Sequence, residues 1–203
     1  MALTPSFEDF EAAWNAGENQ VVYTRLAADL DTAVSLMLKL TDARKDSFML
    51  ESVTGGEVRG RYSIVGMKPD LIWRAMGTTS EVNRQARFDG DAFEPCEGDP
   101  LTAFRAILAE SRIDLPDDLP ASSAGLFGYL GYDMIRLVEH LPDVNPDPIG
   151  LPDAVMIRPS VVAVLDGVKG DVILVSPVFQ SSNLSAKAAY AQAAERVQDA
   201  LRD

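Results

Sequence analysis

Histidine and cysteine are nearly missing from this sequence, with His140 and Cys96 alone among 203 residues. One thiol forms no intramolecular disulfide and no cysteine-rich zinc site, and it fits a reducing compartment. One imidazole excludes mechanisms that need two histidines in the same chain, most zinc hydrolases among them. Also missing is any apolar run near the roughly 20 residues of a membrane-spanning helix. The stretch Met1 to Phe10 has neither a basic nor an apolar leader pattern and carries acids early. The expected location is cytoplasmic. Basic side chains are few, 18 against 31 acidic ones, for a formal net charge of −13. That field repels a phosphate backbone and an anionic membrane alike, so the expected partners include no nucleic acid and no membrane.

What is present suits an ordinary globular protein, with 47% hydrophobic and 24% charged residues. The length fits one domain, or one large domain with an appendage. Ser6 caps a short helix to about Asn15, with Phe7, Phe10 and Trp14 on one stripe and Gly17 at its end. Gln20 to Leu26 reads as a strand. Asp29 or Asp31 caps a second helix from Thr32 to about Asp42. Ser47 to Val53 reads as a buried strand running into a Gly55-Gly56 turn, and Arg59 to Gly66 returns antiparallel. A further strand, Leu71 to Met76, follows a turn at Lys68-Pro69-Asp70. Ser80 to Phe93 continues the meander, with a turn at Asp89-Gly90. Asp99-Pro100 caps a helix to Ser111 whose inward residues are Leu101, Phe104, Leu108 and Ile107. Exposed loops are expected at Leu115 to Pro120 and at Pro142 to Pro152, with a short helix between them at Met134 to Glu139. Strands at Ala154 to Asp166 and Val172 to Pro177 then lead to a helix from Ser185 to Leu201. The fold class is α+β: an antiparallel β-sheet, or two packed sheets, flanked by three or four helices.

Several eye-catching residues have plain readings. Gly125, Gly128 and Gly131 recur every third residue, but no Lys-Ser or Lys-Thr follows as a phosphate loop requires. Glycines spaced this way in a strand allow close backbone approach. His140 reads as a helix-end residue and Cys96 as an unactivated thiol. Trp14 and Trp73 belong to the core.

Three segments carry more. In order and spacing, Phe48-Met49-Leu50-Glu51-Ser52, Arg61-Tyr62-Ser63-Ile64-Val65-Gly66 and Ala124-Gly125-Leu126-Phe127-Gly128-Tyr129-Leu130-Gly131-Tyr132-Asp133 resemble the amino-terminal domain of the anthranilate synthase component I family. Tyr23 to Thr32 also looks like that family's opening strand and helix cap, with Ala33 where a proline is common. The resemblance spans nearly all of residues 1–203. Aminodeoxychorismate synthase component I is the sister family with a diverged copy of the domain.

The resemblance implies a function. Such enzymes combine chorismate with ammonia delivered by a glutamine amidotransferase subunit, and they release anthranilate and pyruvate on the way to tryptophan. Their chorismate- and Mg2+-binding residues lie in a carboxy-terminal catalytic domain that these 203 residues do not include. This chain is therefore expected to hold no cofactor or metal and to turn over no substrate. Its expected partners are the amidotransferase subunit, its own catalytic domain and L-tryptophan as feedback effector. In similar enzymes the effector sits between the domains, which marks Leu50, Glu51 and Ser52. Glu51 suits the ligand's ammonium, and Ser52 both donates and accepts. Arg61, on the returning segment with Tyr62, suits its carboxylate, with Arg59 as rival. Pairing of Arg61 with Glu57 is the bland reading. The alternative role is a module that mainly docks the amidotransferase, to which an exposed loop around Tyr132 would contribute.

Overall fold

The computed structural model describes residues 2–42, 44–51, 60–142 and 146–202. The chain forms two compact units. Unit 1 comprises Met1–Pro69, Arg112–Gly125 and Pro159–Asp203, and unit 2 comprises Asp70–Ser111 and Leu126–Arg158.

In unit 1, helix α1 (Phe7–Asn15) begins where Ser6 Oγ accepts from the Asp9 amide at 3.2 Å. It ends before Gly17, whose φ of +85° no β-carbon would favour. Phe10 and Trp14 stack at 5.8 Å, and Tyr190 meets Phe10 edge-on. Strand β1 (Gln20–Ala27) follows. Helix α2 (Ala33–Thr41) is capped by Thr32 and not by an aspartate, because Thr32 and Ser35 exchange side-chain bonds with each other's amides. Asp31 instead accepts from Lys39 at 2.7 Å and from the Ser35 hydroxyl.

Strand β2 (Phe48–Leu50) is only three residues long and partly exposed, in place of the longer buried strand the sequence suggests. Strand β3 (Tyr62–Met76) runs unbroken through Lys68-Pro69-Asp70, where a turn was expected. Lys68 takes φ +51°, and the Ser160 hydroxyl donates to its carbonyl. A bend at one residue thus accommodates the proline, which has no amide to give the ladder.

Strands β7 (Ala154–Asp166) and β8 (Asp171–Val178) and helix α4 (Ala186–Arg202) complete the unit. The strand order is β1, β8, β7, β3, with β2 also paired to β3. The β1–β8, β7–β8 and β2–β3 pairings are all antiparallel. Val65, Met67, Val161, Val172 and Leu174 on the sheet meet Leu36 and Leu40 of α2 and Val197 and Ala200 of α4. The 112–125 segment is tied to β1 by Tyr23, whose phenol donates to both Asp118 oxygens at 3.0 and 3.1 Å. Burial, reinforced by that carboxylate, pushes the phenol up to about 12.

In unit 2, the second half of β3 pairs with β4 (Thr79–Asn83), which pairs with β5 (Glu94–Pro95), while β6 (Phe127–Leu130) pairs with the start of β7. Helix α3 (Pro100–Glu110) is capped by Asp99, which accepts from the Leu101 and Thr102 amides. Its buried residues are Pro100, Ala103 and Ile107, and Leu108 is 46% exposed. Leu101, Phe104 and Ile107 pack on the unit 2 core as expected, with Phe104 stacked on Trp73 at 5.0 Å, and of the expected inward residues Leu108 alone turns outward. Trp73, Leu71, Val82, Ile107, Met134 and Ala154 form the core. Each unit holds antiparallel sheet flanked by helix, as α+β patterning requires, and neither is a pair of packed sheets.

Candidate functional site

Phe48, Met49 and Leu50 stand opposite Gly66, Val65 and Ile64. The Phe48 ring lies over Gly66, where an added β-carbon would come within 2.1 Å of Cε1. That fit fixes the β2–β3 register. Met49 packs into the unit 1 core. Leu50, by contrast, is 52% exposed at the strand end, and Glu51 after it is exposed. An apolar side chain and a carboxylate are thus presented together where the ladder stops. Ser52 and Arg59 lie outside the described residues, as do Gly55-Gly56 and Glu57.

The structure pairs Arg61 within the protein. Its Nε donates to Asp166 Oδ1 at 2.9 Å and its Nη2 to Oδ2 at 2.6 Å. This is the two-pronged geometry that makes arginine–carboxylate pairs strong and well oriented. The Asp166 side chain is 2% exposed, so the pair is closed from water on that side. Asp166 Oδ1 also accepts from the Val168 and Lys169 amides at 3.1 and 3.2 Å. The guanidinium sits 4.9 Å from the centre of the Tyr62 ring, within cation–π range. Arg61 was assigned to a ligand's carboxylate because it follows the turn after Ser52. In the structure its fork grips a protein carboxylate 105 positions away.

The Arg61 hydrogen bonds hold the Asp166 carboxyl down at about 2, against the opposing effect of burial. A carboxyl lowered on folding stabilises the protein above its unfolded value near 4, and that stabilisation is lost as pH falls through about 2. The shift corresponds to about 2 kcal/mol at neutral pH. Asp166→Asn is therefore expected to lower stability at pH 7 and to lose most of that deficit relative to wild type by about pH 2. Urea denaturation of both proteins across that range checks the window.

Other sequence candidates fall into place. Gly128 and Gly131 do allow close approach: added β-carbons would lie 1.9 Å from the Val155 oxygen and 2.7 Å from the Asp153 oxygen. Tyr129 Oη donates to the Pro152 carbonyl at 2.8 Å. Tyr132 is 81% exposed. His140 is exposed, and Cys96 packs at the edge of the unit 2 core. Among the described residues no group of three or more His, Cys, Asp or Glu is arranged to hold a metal, and no helix is long and apolar enough to cross a membrane. A cleft of about 480 Å³ in unit 2 is bordered by Arg74, Ser80, Glu81 and Pro152, and one of about 510 Å³ in unit 1 by Asp9, Asn19, Tyr23 and Arg112. Neither includes Leu50, Glu51, Arg61 or Tyr62.

The antiparallel sheet and its helices place the chain in a known structural class. It superposes on the crystal structure of anthranilate synthase component I from Streptococcus pneumoniae with a TM-score of 0.53 at 21% identity, over 88% of this chain and 36% of that one. The fold is that of the enzyme's component I. Sequence gives the particular relation. The chain is 73% identical over 198 residues to anthranilate synthase component 1 of Cereibacter sphaeroides, covering 98% of this chain and 40% of that protein. Its identity to the Synechocystis protein of that name is 33%, covering 96% of this chain and 38% of the relative, and to the Neisseria meningitidis serogroup B protein 34%, covering 96% and 39%. No protein-family model matches. The chain is thus related along nearly its whole length to the amino-terminal part of anthranilate synthase component 1, and it spans about 40% of the length of these curated relatives.

Proposed function

We propose that this chain is the amino-terminal, non-catalytic regulatory part of an anthranilate synthase component I, working in tryptophan biosynthesis. In this reading a carboxy-terminal catalytic domain binds chorismate and Mg2+, and an amidotransferase subunit supplies ammonia. This chain contributes contacts to a tryptophan feedback site. The observation that carries the effector reading is the end of β2, where Leu50, the last paired residue, is half exposed and Glu51 directly after it is exposed.

Glu51 accepts from the ligand's ammonium, Leu50 offers apolar surface to its indole, and Ser52 and Tyr62 complete this side. The ligand's carboxylate is met by other donors, since the Arg61 fork is held by Asp166. An effector shifts an equilibrium only through its differential affinity for two states. Tryptophan therefore favours the arrangement of this chain and the catalytic domain that closes less well on chorismate. Half of an interdomain pocket supplies half of the contacts, so the 203-residue chain alone is expected to bind tryptophan weakly. Calorimetry showing tight binding would contradict that division.

A second reading, docking of the amidotransferase, is favoured by unit 2. Leu130, Tyr132, Val138, Ile149 and Leu151 are each more than half exposed there, and exposed aromatics are the commonest interface anchors. Tyr132→Ala is expected to weaken co-elution with the amidotransferase about ten-fold, the loss typical of one anchor. Unchanged co-elution removes this surface from the docking site.

A further inference from the structure

We infer that Asp166 and Arg61 form a positioning clasp for the effector site, holding the first residues of β3 beside Glu51, and that Arg61 does not itself bind the effector. The inference rests on the effector reading of Leu50 and Glu51 above.

Both ends of Arg61 are tied to the same turn. Its guanidinium grips Asp166 through two hydrogen bonds, and its backbone carbonyl accepts from the Gly167 amide at 2.9 Å. The turn is itself closely hydrogen-bonded. Asp166 pairs with Asp171 at the close of the β7–β8 ladder, the Gly170 amide donates to the Asp166 carbonyl at 2.9 Å, and Asp166 Oδ1 accepts two further amides. Three residues after Arg61, Ile64 pairs with Leu50. Glu51 follows Leu50 directly, and Tyr62 and Ser63 precede Ile64 at the start of β3. The clasp therefore anchors the segment that faces the effector residues, and it does so from a hairpin outside the ladder those residues belong to. Sites lose function when the shell behind the contact residues is loose by about an ångström. A planar, two-pronged pair removes that looseness at the side chain, and the Gly167 bond removes it at the backbone.

This role and a ligand role for Arg61 predict opposite outcomes. If Arg61 bound the effector's carboxylate, Asp166→Asn would release its guanidinium and leave tryptophan binding equal or tighter. As a clasp, Asp166→Asn weakens binding. Arg61→Lys keeps the charge but not the fork, so it weakens binding as well. The test is a ligand-observed NMR titration of L-tryptophan against the 203-residue chain, Asp166→Asn, Arg61→Lys and the double variant, with thermal midpoints recorded for each. Each single change is expected to weaken binding five-fold or more, and the double variant no further than the worse single one, because both remove one interaction. Equal or tighter binding by folded Asp166→Asn overturns the clasp, as do losses that multiply in the double variant or thermal midpoints that fall while affinity stays unchanged. Should Asp166→Asn fail to fold, Arg61→Lys decides alone: undiminished affinity overturns the inference. Absence of tryptophan binding by the unaltered chain is a distinct result, which removes the effector reading and the clasp's purpose with it.

Discussion

Gly128→Ala is expected to be the most destabilising single-methyl change in unit 2. The added carbon would fall 1.9 Å from the Val155 oxygen, 2.9 Å from its carbonyl carbon and 3.0 Å from the Met156 Cα. All three are backbone atoms of β7, so no rotamer change relieves the clash. Either β6 leaves the ladder or β7 shifts. Overpacking of this kind costs about 3 kcal/mol or more, which for a chain of this size lowers the thermal midpoint by roughly 6 to 12 °C. Gly90 provides the control, because an added β-carbon there meets nothing within 4 Å and its φ lies outside the left-handed region. Gly90→Ala is expected to change stability by less than about 0.5 kcal/mol. Melting curves of the two variants side by side test whether the Gly-x-x-Gly-x-x-Gly spacing is a packing device.

The largest functional effect is expected at Glu51. A carboxylate accepting from an ammonium is a charge-assisted contact worth about 1.5 to 3 kcal/mol. Glu51→Gln keeps size and one acceptor oxygen but removes the charge. In a complete enzyme carrying this chain, the substitution is expected to raise the tryptophan concentration for half-inhibition by about 10- to 100-fold, while kcat and the chorismate KM stay within two-fold. The side chain is exposed and at the end of a three-residue strand, so stability should barely move. Inhibition that is unchanged while the protein remains folded would remove Glu51 from the effector site.

Much of this structure can be read locally. Ser6 and Asp99 cap their helices where expected because a cap is a bond within three residues of itself. Thr32 was overlooked in favour of neighbouring aspartates because the reciprocal bond from Ser35 depends on a residue inside the helix. Lys68-Pro69-Asp70 looked like a turn because proline usually interrupts a strand. The pairing on either side, together with the Ser160 bond, outweighs that preference. Helical spacing placed Leu101, Phe104 and Ile107 on the inward face of α3 but admitted Leu108 as well, and only the packing around Trp73 shows that Leu108 is left half exposed.

The candidate site divides the same way. Leu50 and Glu51 were visible because they adjoin in a motif. Asp166, the residue that holds Arg61, was not, because it looks like any aspartate before a glycine at a strand end. A two-pronged pair across 105 positions leaves no periodicity to find.

The central claim is that tryptophan meets this chain at the end of β2. The most direct measurement follows the backbone amides of the 15N-labelled 203-residue chain as L-tryptophan is added to millimolar concentration. The account predicts weak, saturable shifts concentrated at Phe48 to Glu51 and Gly60 to Ile64, with the unit 2 amides of β4, β6 and α3 unmoved. Shifts centred on unit 2, or none at any concentration reached, would contradict it.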